Sequence, residues 1–111
     1  MQFSEDPSFA REYAKLYKRF LSLDTDIAKV KQVMAQSPEG RGSKHWNVLH
    51  RSKNIVILKT RISCASLHRD ALRLVYAYLP AENRVDFIEV YFKGDKESED
   101  RDRIKSYLKN F

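Results

Sequence analysis

Lys59 and Arg61 stand two residues apart, and so do Glu89, Tyr91 and Lys93. Spacing of two is that of side chains sharing one face of a β-strand. Lysine and arginine neutralise phosphate oxygens, and the guanidinium group offers them a planar fork of donors. If the strands pair so that these faces coincide and Arg73 joins them, the result is a basic concavity holding one carboxylate and one phenol. The plainer alternative is a solvated sheet face in which Lys59 and Arg61 pair across strands with Glu89.

The surroundings favour a polyanion. Between Arg41 and Arg73 lie eight basic side chains, Arg41, Lys44, Arg51, Lys53, Lys59, Arg61, Arg69 and Arg73, against the single acid Asp70. That excess of seven sits in a chain whose net charge is +6, so the remainder is close to neutral. Charge built into a sheet makes a fixed, oriented surface suited above all to nucleic acid. Arg41, Lys44, Arg51 and Lys53 fall in an expected loop, where they would grip backbone phosphates.

Other chemistries find little support. His45, His50 and His68 show no metal-ligand spacing, and no metal or other cofactor is expected. His45 as a loop general acid and Trp46 as a base-stacking platform stay open, beside the simpler reading that Trp46 packs the loop onto a sheet. The lone cysteine, Cys64, has no internal partner and reads as a small loop or strand-end residue. No apolar h-region stands at the start and no run approaches about 20 apolar residues, so neither a leader nor a membrane span is expected. A soluble cytoplasmic protein with no membrane contact is the expectation.

The elements that would position these groups follow from periodicity. Residues 1–3 suit an edge strand. Asp6-Pro7 reads as a helix cap followed by proline at the first helical position, with Phe9, Tyr13, Leu16 and Phe20 as one apolar stripe. Ser22 or Asp24 would cap a second helix striped by Leu23, Ile27, Val30 and Met34. After Ser37-Pro38-Glu39-Gly40 a loop is expected from Gly42 to about Asn54. Three strands then form a meander, the last two joined at Pro80-Ala81-Glu82-Asn83, with Val85, Phe87, Glu89, Tyr91 and Lys93 on one face of the last. A final helix, capped by Asp95 or Ser98, would bury Ile104, Tyr107, Leu108 and Phe111. The 111 residues make one α+β domain, 1–111, with helices on one sheet face.

This order, with Lys59-Thr60-Arg61, the word ALRLVYAY from Ala71 to Tyr78, FIEVYFKGDK from Phe87 to Lys96 and EDRDRIKSYL from Glu99 to Leu108, resembles the RelE/ParE superfamily of bacterial type II toxin–antitoxin toxins, in its RelE-like branch. The resemblance spans essentially the whole chain. It implies a helical hairpin packed on a small, mainly antiparallel sheet with a C-terminal helix. It also implies a toxin that cleaves mRNA on the ribosome without a metal and so inhibits translation, with a cognate antitoxin, mRNA and the ribosome as partners. ParE-like members poison DNA gyrase instead, so a gyrase inhibitor or a degenerate, non-cutting RNA- or antitoxin-binding member is the alternative.

By position, Lys59 and Arg61 match basic residues on a central RelE strand, Arg73 the arginine of its R-L-V-Y word, and Lys93 or Lys96 a basic group ending the last strand. Cleavage by the RNA's own 2′-hydroxyl needs a proton acceptor, charge stabilisation at phosphorus and a proton donor. Glu89 would accept, Lys59 or Lys93 donate, Arg61 and Arg73 clamp phosphate, and Tyr91 stack on a base. RelE-like nucleases often carry tyrosine or histidine near the C-terminal end. Here that stretch reads Glu97-Ser98-Glu99-Asp100, and the role is unfilled.

Overall fold

The computed structural model describes residues 1–40 and 44–111. The chain runs β1 (Gln2–Glu5), α1 (Pro7–Arg19), α2 (Leu23–Gln36), β2 (Trp46–Arg51), β3 (Val56–Cys64), β4 (Arg69–Leu79), β5 (Arg84–Phe92) and α3 (Arg101–Leu108). One five-stranded sheet has the order β1-β5-β4-β3-β2. Among the described residues only β1 pairs in parallel, against β5; the other three pairings are antiparallel. Proline at the first position starts α1 after Asp6. Between β4 and β5 the chain turns through a short 3-10 helix, Pro80–Glu82, and Asn83, which takes the left-handed conformation asparagine tolerates.

Both faces of the sheet are covered, which corrects the expectation of helices on one face. The α1 and α2 stripes bury Phe9, Leu16, Phe20, Leu23, Ile27 and Met34 against Val56, Leu58, Leu72, Leu74, Tyr76, Val85 and Phe87. On the opposite face α3 lays Ile104, Tyr107 and Leu108 over Ile57, Val75, Ala77, Leu79 and Ile88. A helix of eight residues covers only part of a sheet, and the uncovered part matters below.

Three further expectations change. The stretch taken as loop up to Asn54 contains β2, whose alternation is hidden by a register shift between Val48 and His50. The strand is readable only from Trp46, which turns inward, donates from Nε1 to the Tyr76 hydroxyl at 2.8 Å and lies against Gly40. Gly40 has a φ of 58°, and a Cβ there would stand 2.3 Å from the indole, so this position demands glycine. Trp46 therefore packs the core and offers no stacking platform.

The second change is in β5. The β4–β5 register shifts between Val75 and Tyr76, whose partners are Glu89 and Phe87, leaving Ile88 as an extra residue. The bulge reverses the strand's phase. Val85 and Phe87 face α1 and α2, whereas Glu89, Tyr91 and Lys93 share the α3 side, so the single face drawn from Val85 to Lys93 does not exist. Groups displaced by the bulge are satisfied from the helices. Arg103 of α3 donates to Ile88 O at 2.9 Å and to both oxygens of Glu12 at 2.8 Å, and Glu12 accepts from Val90 N at 3.4 Å.

Third, α3 is capped by neither Asp95 nor Ser98. Asp100 is its N-cap, accepting from Arg103 N at 3.0 Å.

Candidate nucleic-acid interface

The phase reversal brings the basic and acidic groups of three strands onto one face. Cα partners run across the sheet in two adjacent rows. Arg61 stands opposite Arg73, and Arg73 opposite Tyr91; in the next row Asn47, Lys59, Val75 and Glu89 follow one another. Arg61 N donates to His45 O at 3.2 Å, which extends the first row by one residue. Because Trp46 points to the helix-hairpin side, its neighbours His45 and Asn47 fall on the opposite face. A cleft of about 190 Å³ opens there, lined by His45, Asn47, Lys59, Thr60, Arg61, Arg73 and Lys93.

Two arginines directly across an antiparallel pair repel each other. Arg73 is steadied by its own strand, donating to the carbonyls of Asp70 and Leu72 at 3.0 Å. Among the described residues neither arginine has a carboxylate within ion-pair distance. The pair therefore presents two guanidinium groups to whatever enters the cleft. Such a site favours an anion with several oxygens.

The acids are spoken for. Glu89, 1% exposed, binds the Lys96 ammonium and accepts from Asp100 N at 2.8 Å, so it anchors the start of α3. Lys59 donates to Glu99 at 2.7 Å, and Glu99 also holds Arg101 at 2.8 Å. The cross-strand pairing of Lys59 and Arg61 with Glu89 is not formed. Burial pushes the Glu99 carboxyl up, but the Lys59 hydrogen bond and the nearby Lys59 and Arg101 charges outweigh it and hold the group below its ordinary value. Lys93 donates to the Glu97 carbonyl. Residues 94–100 thus form a strap along one wall of the cleft.

Tyr91 lies under that strap. Its ring carries the Lys96 ammonium 5.1 Å from the centroid, and its hydroxyl is buried with no hydrogen-bond partner among the described residues. Burial above all, then the Glu99 and Glu89 charges, pushes its pKa up to about 12. Such a phenol keeps its proton, and its covered ring presents no face to a base.

The remaining basic residues divide. Lys44 is exposed in the turn leading into β2, beside the cleft. Arg51 is tied to Glu39 at 2.9 Å, and Lys53 sits in the exposed β2–β3 turn. Both lie at the far end of β3, five residues or roughly 17 Å from Arg61. Arg41 lies outside the described residues. Asn47 lines the cleft and was not foreseen, because the β2 bulge conceals its strand. No group of three His, Cys, Asp or Glu able to hold a metal occurs among the described residues, and no described helix is long and apolar enough to cross a membrane.

No protein-family model and no curated protein matches the chain. Among solved structures, an archaeal RelE–RelB complex from Pyrococcus horikoshii OT3 superposes with a TM-score of 0.62 at 9% identity, over 86% of this chain and 97% of that one. At that identity the likeness is one of fold, and the fold is RelE-like: α+β, with a helical hairpin on a mainly antiparallel sheet and a C-terminal helix.

Proposed function

We propose that the protein is the toxin of a type II toxin–antitoxin system, acting as a metal-independent endonuclease on ribosome-bound mRNA. The observation that carries this reading is the opposed pair Arg61–Arg73, Arg61 exposed and Arg73 half-buried, lining a cleft with Lys59 and Lys93. Like-charged neighbours on a sheet cost stability, and a phosphodiester relieves the cost by accepting from both. Arg61 and Arg73 stabilise the charge that builds on the phosphorane, and Lys93 donates to the leaving 5′-oxygen. Lys59 and Lys44 steer the backbone. Glu89 has no part in the chemistry on this reading, since its two oxygens are committed to Lys96 and to α3. An antitoxin is the natural partner, given that the fold neighbour is a RelE–RelB complex.

A second reading rests on the same sealed Glu89 and Tyr91: a non-cutting member that binds RNA, antitoxin or DNA gyrase. The two separate in one experiment. Induction in bacteria with mapping of mRNA 5′ ends should give growth arrest and cuts within ribosome-bound codons. Arrest with altered DNA supercoiling and intact mRNA would establish the gyrase reading. No arrest from intact protein removes both toxin readings.

A further inference from the structure

A cleft that cuts RNA needs a proton acceptor, and the acids of this one are occupied. Glu89 is sealed by Lys96 and Asp100 N, and Glu99 by Lys59 and Arg101. The Tyr91 phenol holds its proton. Lysine and arginine side chains are protonated at neutral pH, and the Asn47 and Thr60 side chains accept no proton there. Among the described lining residues His45 alone carries an imidazole, the side-chain type most often used as a general base. Its backbone is fixed by the Arg61 N–H, and its side is set by the inward turn of Trp46.

We propose that His45 is the proton acceptor of the cleft, a proposal that rests on the endonuclease reading above. Across the face the order is His45 before β2, Arg61 on β3, Arg73 on β4 and Lys93 after β5. An acceptor thus stands at one end, two phosphate clamps in the middle and a donor at the other, the order an in-line displacement requires. A nitrogen of neutral His45 takes the proton of the 2′-hydroxyl as that oxygen forms its bond to phosphorus. The P–O5′ bond breaks with its electron pair, and the leaving oxygen takes a proton from the Lys93 ammonium. The products are a 2′,3′-cyclic phosphate and a 5′-hydroxyl. Water then removes the proton from His45 and restores that of Lys93. Among the described residues the charged groups that line the cleft with His45 are Lys59 and Arg61 from β3, Arg73 from β4 and Lys93 beyond β5, with Lys44 next to it in sequence.

The test compares wild type, His45→Ala and His45→Gln in single-turnover cleavage of mRNA on programmed ribosomes from pH 5 to 9, beside binding of a 2′-O-methyl RNA that cannot be cut. Both variants should bind the methylated RNA within about threefold of wild type and cut at least about a hundredfold more slowly. The acidic limb of the wild-type pH–rate profile should vanish in both. Cutting within threefold of wild type overturns the role of His45 and leaves the nuclease reading standing. Loss of binding in step with cutting makes His45 a binding residue only, and also overturns it. A wild type that binds the methylated RNA and cuts nothing overturns the nuclease reading and this role together.

Discussion

The α3 side of the sheet has two ends built on opposite principles. At one, Ile57, Val75, Ala77 and Ile88 are apolar and covered by Ile104 and Leu108. At the other, Lys59, Arg61, Arg73 and Lys93 line an open cleft, and the strap 94–100 closes only its edge. The strands are the same; what differs is whether burial or an anion would complete them. The covered end stabilises through area removed from water, on the order of 25 cal/mol per Å². The open end holds like charges together, and these lower stability until something binds. On the proposed reading that cost is relieved when a phosphodiester accepts from both arginines.

Substitutions at the two ends should therefore separate activity from stability. Replacing both Arg61 and Arg73 by alanine should give the largest effect, abolishing growth arrest and reducing RNA cutting by more than about a thousandfold. The same change should leave the thermal midpoint equal or raised, since repulsion is relieved; unchanged toxicity would remove the clamp. Ile88→Ala at the covered end should do the reverse, costing about 2–5 kcal/mol in denaturant unfolding while the folded fraction keeps its RNA affinity.

Arg103→Met lies on the border between the ends. It strips Ile88 O and Glu12 of their donor and should cost about 1–3 kcal/mol, with amide exchange quickening first around Ile88–Val90. If exchange there is unmoved, the bulge does not depend on that guanidinium.

The smallest effect is one of pH. The Glu99 carboxyl is held below its unfolded value, so its contribution is full above the ordinary carboxylate range and fades as pH falls through the depressed folded value. Glu99→Gln should flatten the loss of stability on acidification, visible in thermal midpoints taken from pH 7 down to 3. A slope equal to that of wild type would mean that Glu99 adds nothing to acid stability.

The helices and β3 and β4 were legible because their apolar residues recur at clean periods, Phe9-Leu16-Phe20 in α1 and Val56-Leu58-Ile62 in β3, whereas β5 was legible as a strand but not in its facing, which the bulge at Ile88 reverses. So was the shared face of Lys59 and Arg61 legible, which needs only period two; that Arg73 joins them is set by the β3–β4 register. Strand β2 was hidden by its bulge, and with it the placement of His45 and Asn47. The role given to Glu89 was read from charge alone, and its partners Lys96 and Asp100 N are set by how residues 94–100 fold back.

By itself the sequence determined the element types outside β2, the two apolar helix stripes and the concentration of positive charge between Arg41 and Arg73. Each is local, a matter of neighbours within a turn of helix or a few strand residues. Only the tertiary structure decided which charges meet. One extra residue at Ile88 reverses the phase of β5 and puts Tyr91 and Lys93 on the face of Arg61 and Arg73. The placement of α3 over one end, with its strap on Lys59 and Glu89, then determines which of those groups stay open. A strand's side chains alternate whatever lies beside it, but a bulge and a covering helix exist only through their partners, and those partners are distant in the chain.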